Sequence, residues 1–506
     1  MMNPERQPTE VELKFILSPD AERRLEKLPE FNPPRASGPT TRRLVSTYFD
    51  TADCDLARNG LSLRVRRDGD KRIQTVKSRG VNGAASSRGE WEQPLESDEP
   101  EIGLGSGTPI ASALPYGAEL APVAVSDIVR TARLIHVGGS CVEAALDVGS
   151  IEAGDARMPV RELELELKDG SYGALYRLAL ALHASEPLRI DVVSKAARGY
   201  GLRYGRPAEA VEAEDVALDP GVAGADAVRI MIANALGHLL ANRAPALAGN
   251  PEGIHQTRIA IRRLRSVLQL FRPHLEPHAR SLFEAELRTL GRVIGEARDW
   301  DVFIGEFLPE TARRSVDREL IEMLRRPARM RATAAHAESG RKLDEASYTS
   351  LVLGLAAWSE EVHALGDNRL SRPLRDLAPD LLDRLLRKAE KRGAHVHARS
   401  PATDLHPLRK SLKKLRYGVE FVAALYPDKE VEDYVKGLKR VLKAQGAVND
   451  AAVAMRLAEE LAGSQHPEFA PAIGALALAA EGASAKARRK FGKTWKALRN
   501  EAPFWR

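Results

Sequence analysis

Glu10-Val11-Glu12-Leu13-Lys14-Phe15 alternates charged and apolar residues, and the same alternation returns in Leu63-Arg64-Val65-Arg66 and in Arg161-Glu162-Leu163-Glu164-Leu165-Glu166-Leu167. Residues two apart on a strand point the same way, so Glu10, Glu12 and Lys14 share one face and Val11, Leu13 and Phe15 the other. These stretches therefore read as strands, charged on one side and apolar on the opposite side. Their charges are also sorted by sign. Glu10 with Glu12, and Glu162 with Glu164 and Glu166, form acidic strands; Arg64 and Arg66 form a basic one, and Lys77 follows on the next strand. A sheet facing only water gains by mixing its signs. If the sheet instead rolls into a small barrel, the charged faces converge, and a lumen holding acids and bases together calls for a bridging ligand. A divalent metal with a short chain of phosphates has that chemistry: carboxylates hold Mg²⁺ or Mn²⁺, and Arg and Lys take the remaining phosphate oxygens.

Outward from these strands, the period-two pattern runs from Thr9 to about Arg206. Turn-rich stretches break it at Arg79 to Gly89, Ile102 to Pro122, Gly138-Gly139-Ser140 and Glu152-Ala153-Gly154-Asp155, and short helices are expected at Asp20 to Leu28 and Ser171 to Leu182. A Pro-, Ala- and Glu-rich connection near residues 206–222 reads as exposed. Beyond Pro220 the apolar residues recur at helical spacing almost to the C-terminus.

The helical region repeats itself. Placing His255 on His406 also puts Arg258 on Arg409, Arg262 on Lys413, Arg263 on Lys414, Arg265 on Arg416, Gly295 on Gly446 and Asp299 on Asp450 without a gap. Duplication of a helical bundle explains so long a register. In each copy the basic residues form a stripe, His255, Arg258, Arg262 and Arg265 in the first and His406, Arg409, Lys413 and Arg416 in the second. Neither stripe itself contains an acid, so a bound polyanion is the expected compensation. Ten helical residues span about 15 Å, enough to meet several successive phosphates. The basic run Lys486, Arg489, Lys490, Lys493 and Lys496 reads as a solvated helix face.

Composition limits the alternatives. A chain of 506 residues with 43% hydrophobic content holds two or three cores. Aromatics make up 5%, too few for a nucleic-acid binder that stacks bases, while a net charge of +6 gathered into short segments suits phosphate without bases. Cys54 and Cys141, the two cysteines, lie apart from each other and from any histidine cluster, which argues against a disulfide framework, a zinc site and thiol catalysis. No run of eighteen apolar residues occurs and Met1 to Thr9 lacks the apolar core of a signal peptide, so the expected location is the cytoplasm.

Glu10-Val-Glu-Leu-Lys14 resembles the ExExK signature of the CYTH, or triphosphate tunnel metalloenzyme, superfamily. Tyr48-Phe-Asp-Thr51, Leu63-Arg-Val-Arg66, Thr75-Val-Lys77, Arg130-Thr-Ala-Arg133, Leu146-Asp-Val-Gly149, Glu162-Leu-Glu-Leu-Glu166 and Ser194-Lys-Ala-Ala-Arg-Gly-Tyr200 are similar to the family's later blocks, in its order. The resemblance implies metal binding by Glu10 and Glu12 with two of Glu162, Glu164 and Glu166, the first two of these being favoured. It implies triphosphate binding by Lys14, Arg64, Arg66, Lys77, Arg133 and Lys195, with Glu10, Glu12, Lys14, Arg64, Arg66 and Lys77 as the catalytic set. Asp147, Glu90 and Glu92 stand as candidate supporting residues.

The two helical blocks, His255-Gln-Thr-Arg-Ile-Ala-Ile-Arg-Arg-Leu-Arg265 and His406-Pro-Leu-Arg-Lys-Ser-Leu-Lys-Lys-Leu-Arg416, resemble CHAD, the conserved histidine alpha-helical domain. That resemblance implies two four-helix bundles around a basic channel that binds inorganic polyphosphate. Its ligands would be His255, Arg258, Arg262, Arg263, Arg265, His406, Arg409, Lys410, Lys413, Lys414 and Arg416. The resulting expectation is a two-domain chain, an antiparallel β-barrel tunnel over residues 9–205, a linker over 206–222 and an all-α domain over 223–503. It implies an inorganic triphosphatase that binds polyphosphate and associates with polyphosphate granules. The alternatives are a scaffold that binds polyphosphate without turning it over, and a barrel that acts on ATP, as an adenylyl cyclase, or on thiamine triphosphate. No membrane partner is expected.

Overall fold

The computed structural model describes residues 9–33, 36–78, 80, 83–105, 108–314, 318–397, 400, 402–462 and 467–506. The reading of Met1 to Thr9 falls mostly outside them, as do Arg79 and residues 81–82 of the first turn-rich stretch. The chain packs as two compact units, residues 1–209 with 344–360, and residues 210–343 with 361–506.

In the first unit β1 (Thr9–Ile16), β2 (Thr40–Asp50), β3 (Leu61–Asp68), β4 (Lys71–Ser78), β5 (Ser86–Leu95), β6 (Ala121–Val137), β7 (Ser140–Ala153) and β8 (Ala156–Asp169) form an antiparallel sheet in the order β5-β4-β3-β2-β6-β7-β8-β1. Pairing of β1 with β5 closes it into an eight-stranded barrel, and the short β9 (Arg189–Ile190) adds to β1. The closing seam pairs Glu10 with Arg88 and Glu12 with Ser86. On the other edge of β1, Lys14 lies opposite Glu164 and Ile16 opposite Glu162. Strand β5 begins inside the stretch that the sequence reading assigned to a turn. The hairpin glycines Gly138, Gly139 and Gly154 take the positive φ their turns require.

The barrel is charged inside and apolar outside, so its outer face needs cover. Helices α1 (Pro19–Leu25), α2 (Asp55–Arg58), α3 (Ile110–Ala113), α4 (Tyr172–Ser185) and α5 (Lys195–Tyr204) lie among and beyond the strands. Leu63, Val65 and Val76, from the outward face of β3 and β4, pack with Leu56 of α2 and Ile110 of α3. Asp50 ties this cover down: it accepts from the backbone N–H of Thr51, Leu56 and Ala57 at 2.8–3.0 Å and from the Tyr200 hydroxyl at 2.6 Å. Asp50→Ala orphans those buried donors and is expected to lower the unfolding free energy by about 3 kcal/mol or more, read from urea denaturation.

One helix of the unit comes from far along the chain. Ala346–Glu360 packs on α4 and β9, where the His183 ring nitrogen Nε2 lies 2.9 Å from Ser350 Oγ and 3.1 Å from the Ala346 carbonyl, and the Ile190 N–H donates to Thr349 Oγ1 at 3.2 Å. His183 Nδ1 accepts from the Leu188 N–H at 2.9 Å, which makes the Nε2 nitrogen the donor. The sequence reading carried the helical domain unbroken from 223 to 503; the structure instead returns 344–360 to the barrel unit. A fragment ending near residue 209 lacks this helix.

The second unit is helical. Its long helices are Gly224–Ala241, Pro251–Leu270, Pro277–Val302 and Arg325–Asp344 in the first half, and Leu374–Gly393, Ala402–Val422, Asp428–Ala462 and Ala470–Arg499 in the second. The 206–222 segment is less exposed than its composition implies, because Val216 and Leu218 are buried and the Val211 N–H donates to Asn242 Oδ1 at 2.9 Å.

Candidate active site and paired basic helices

Inside the barrel, a cavity of about 720 Å³ is lined, among the described residues, by ten Lys and Arg and eight Asp and Glu. The surplus of cations makes it an anion site, and the acids make it one that also admits a cation. Glu10, Glu12, Lys14, Arg64, Arg66, Lys77, Glu164 and Lys195 all border it. So does Glu166, which the sequence reading set aside, whereas Glu162 does not. Glu162 is buried where the Lys195 ammonium reaches it at 2.6 Å and Arg198 donates to it.

Several of these charges are paired across strands or with α5. Glu10 accepts from Lys77 at 2.7 Å and Arg88 at 2.8 Å, and Glu12 accepts from Arg88 at 2.7 Å. Burial alone would raise the Glu10 carboxyl, yet Lys77 and Arg88 hold it down at about 2. Helix α5, capped by Ser194 accepting from the Ala197 N–H at 3.1 Å, aims Lys195 and Arg198 from one face. Lys195 lies 2.8 Å from Asp147 and 2.7 Å from Glu164, and Arg130 donates to both carboxylates. Burial opposes the charge of Glu164, but Lys195 and Arg130 push its carboxyl well below the usual range. Asp147, Glu162 and Glu164 each offer an oxygen within 4.8 Å of the others, a hard, oxygen-only set of the kind Mg²⁺ or Mn²⁺ takes.

The cations cost each other. Burial, then Arg64 and Arg88, lowers Lys77; burial, then Arg64 and Arg130, brings Arg66 down to about 10. Arg64 Nε is buried without an acceptor. A bound anion relieves both costs.

Arg133 is placed differently from its expectation. Strand alternation puts Arg130, not Arg133, on the inward face of β6 beside Asp147. Arg133 reaches the cavity from the opposite phase, with its guanidinium 4.5 Å from the centre of the Phe31 ring and donating to Asn32. Arg88, Arg130 and Arg198 were missed by the sequence reading, although the one-in-two phase shared with Asp147 could have found Arg130. Glu90 lies 2.9 Å from Lys77 and 3.4 Å from Arg64, and Glu92 accepts from Thr75 at 3.3 Å.

In the helical unit the two stripes meet. The Pro251–Leu270 and Ala402–Val422 helices pack together, with Arg262 stacked 5.0 Å from the Tyr417 ring centre and Lys414 donating to Gln269 at 3.1 Å. Lys413 is an electrostatic neighbour of Arg258, Arg262 and Arg409, Arg258 also adjoins Arg262 and Arg409, and Arg416 adjoins the same two. Burial, then Arg409, Arg262 and Arg258, brings the Lys413 ammonium down to about 7. His255 is half-buried with Nδ1 lacking a partner, Arg262 buries an Nε without an acceptor, Arg416 Nε lies 3.4 Å from Glu420 on its own helix, and His406 and Lys410 are exposed.

Arg258 and Arg409 sit in matching seats. Arg258 donates to the Gly295 carbonyl at 2.8 Å and Asp299 at 3.0 Å; Arg409 donates to the Leu442 carbonyl at 2.8 Å beside Gly446 and Asp450. A Cβ on Gly295 or Gly446 would come within 3.1 or 3.3 Å of those guanidinium nitrogens, so glycine keeps the seats open. The stripes are thus partly compensated by acids on neighbouring helices. Arg263 points elsewhere, tied to the Glu214 carbonyl at 3.2 Å and Asn234 at 2.7 Å, because it lies about 100° around the helix from Arg262. Arg265 is exposed and adjoins Lys414.

The CYTH domain family matches residues 8–200 and the CHAD domain family residues 230–459. An inorganic triphosphatase of Haemophilus influenzae is 33% identical over 159 residues, 31% of this chain, and the match spans 45% of that protein, less than half its length. An uncharacterized protein of Mycobacterium tuberculosis is 27% identical over 410 residues, covering 74% of this chain and 75% of its own. The crystal structure of the CHAD domain from the plant Ricinus communis, at 28% identity and a TM-score of 0.52, covers 58% of this chain and 98% of that domain. The chain therefore belongs to the proteins that carry a CYTH domain at the N-terminal side and a CHAD domain after it.

Proposed function

We propose that the barrel hydrolyses inorganic triphosphate with a divalent metal, Mg²⁺ or Mn²⁺, and that the helical unit binds inorganic polyphosphate. The cation-rich, metal-compatible cavity carries the first part. Glu10 and Glu12 on one side, and Glu164 with Asp147 and Glu162 on the other, would hold the metal, which when bound neutralises phosphate oxygens and acidifies water. Lys14, Arg64, Arg66, Lys77 and Lys195, joined by Arg130, bind the three phosphates and stabilise the charge that moves to the leaving oxygens. Arg133 contributes from the rim.

Inorganic triphosphate is favoured over ATP or thiamine triphosphate because, among the described residues, Tyr48 is the single aromatic lining the cavity, and it serves the phosphate side. Burial would raise its phenol, but Arg64, Lys195 and Arg66 lower it. Turnover of tripolyphosphate, ATP and thiamine triphosphate by the full chain is the test. Preference for tripolyphosphate supports the assignment; faster release from either nucleotide-like substrate, or cyclic AMP formation, contradicts it.

The converged stripes support polyphosphate binding, with Arg258, Arg262, Arg409, Lys413 and Arg416 at the centre, His255 and His406 toward the helix starts, and Lys410, Lys414 and Arg265 flanking. Arg263 has a structural partner set instead. Burial and the neighbouring arginines bring the Lys413 ammonium down to about 7, so before polyphosphate binds the stripe progressively loses this charge as pH rises through that value. Polyphosphate affinity should therefore fall as pH rises from 6 to 8, by roughly fivefold, with Lys413→Arg flattening the dependence in a labelled-polyphosphate titration. No described helix is long and apolar enough to cross a membrane; a cytoplasmic location at polyphosphate granules is part of the proposal.

A further inference from the structure

Arg88 bridges the two carboxylates of the first acidic strand. It stands directly across the barrel seam from Glu10, so both side chains share the inward face. Its Nε donates to Glu10 Oε2 at 2.8 Å and its Nη2 donates to Glu12 Oε1 at 2.7 Å. Glu10 has a second cation, Lys77; for Glu12 the Arg88 fork is the short ion pair. Arg88 lines the cavity, and Glu164 lies near enough to add to the stabilisation of its charge.

A divalent cation shared by Glu10 and Glu12 competes with the fork for the same two carboxylates, at the shorter distances of metal coordination. A divalent ion placed on that pair would repel the guanidinium strongly at such separations. That repulsion favours release of the arginine as the metal binds. Once released, a guanidinium on the inner wall of a cavity that binds phosphate finds its geometric match in phosphate oxygens, which it takes in pairs.

We propose that Arg88 is the resident counter-ion of the Glu10–Glu12 pair, displaced when a divalent metal binds there, and that the freed guanidinium then engages the triphosphate, so that metal and substrate promote each other's binding. This rests on the triphosphatase reading of the barrel. The exchange has a use: without substrate the carboxylates stay neutralised, and the fully charged site is assembled only when metal and triphosphate arrive together. Arg88 is a positioning residue before metal binds and a substrate ligand afterwards.

The test is Mn²⁺ binding to the full chain without substrate, followed by the electron paramagnetic resonance signal of free Mn²⁺, for wild type, Arg88→Gln, Arg88→Lys and Glu12→Gln. Arg88→Gln should bind Mn²⁺ about tenfold more tightly than wild type, and Arg88→Lys, which keeps the charge but loses the fork, should fall between. In turnover, Arg88→Gln should need less Mn²⁺ for half-maximal rate while its KM for tripolyphosphate rises by about tenfold. A purely structural clamp would give the reverse, looser metal binding with a lowered Tm. Arg88→Lys or Arg88→Gln chains that are folded by circular dichroism and bind Mn²⁺ no more tightly than wild type overturn the exchange. If Glu12→Gln weakens Mn²⁺ binding in that case, the triphosphatase reading stands without the exchange; if Glu12→Gln also binds as wild type does, both fall.

Discussion

Glu164→Gln and Arg64→Ala should each lower kcat/KM for tripolyphosphate by about a thousandfold while leaving the barrel folded. Glu164 is where the inner wall concentrates its charge: it accepts from Lys195 at 2.7 Å and from Arg130, and it shares a small space with Asp147 and Glu162. Glutamine fills the same volume but removes one of the negative charges a metal needs, and it leaves Lys195 and Arg130 leaning on Asp147 and Glu162. The loss should appear largely as a higher metal requirement. Arg64 works on the other partner. Its ion pairs are long, 3.4 Å to Glu90 and 3.9 Å to Glu92, and its Nε has no acceptor, so little folding energy depends on it. Its alanine variant should lose turnover at saturating metal with a Tm shift of only a few degrees. Phosphate release and thermal melts of both variants check the pair, and near-wild-type turnover in either removes that residue from the site.

The second large effect concerns the helical unit. Reversing two converged charges, Arg262→Glu with Lys413→Glu, should weaken polyphosphate binding by at least about a hundredfold, since each substitution both removes a cation and adds a repulsion. Arg262 is wedged against Tyr417, so the neutral pair Arg262→Gln with Lys413→Gln serves as the milder variant, losing about tenfold and lowering the steepness of the salt dependence. Arg263→Gln provides the contrast: it severs contacts to the Glu214 carbonyl and Asn234, so it should lower stability and leave polyphosphate affinity nearly intact. A labelled-polyphosphate titration across a salt series reads all three.

Much of the barrel interior was legible because a strand has only two faces. Once Glu10, Glu12 and Lys14 alternate with Val11, Leu13 and Phe15, closing the sheet leaves one choice of which set turns inward. The same rule separates Arg130 from Arg133; the sequence reading took the block's last arginine, which lines the cavity from the other phase, and did not follow the phase from Asp147 to Arg130. Arg88 escaped because the segment before β5 is dense in Gly and Ser and reads as a turn. The helical stripes were legible for the same periodic reason, and Arg263 drops out of them by its angle around the helix. Asp299 and Asp450 were visible as repeated residues, but nothing local shows that they face Arg258 and Arg409 from a neighbouring helix. The return of Ala346–Glu360 to the barrel unit was invisible for another reason. That helix is apolar around most of its circumference, which tells that it is buried but not against what.

The central claim is that side chains from separate strands form one metal-assisted phosphate site inside the barrel. Its most direct measurement is orthophosphate release from tripolyphosphate by the full chain, with Mg²⁺ or Mn²⁺ added and then chelated, beside Glu164→Gln. The claim predicts release that requires metal, stops on chelation and is all but lost in the variant. Release that persists without metal, or that Glu164→Gln leaves unchanged, would contradict it.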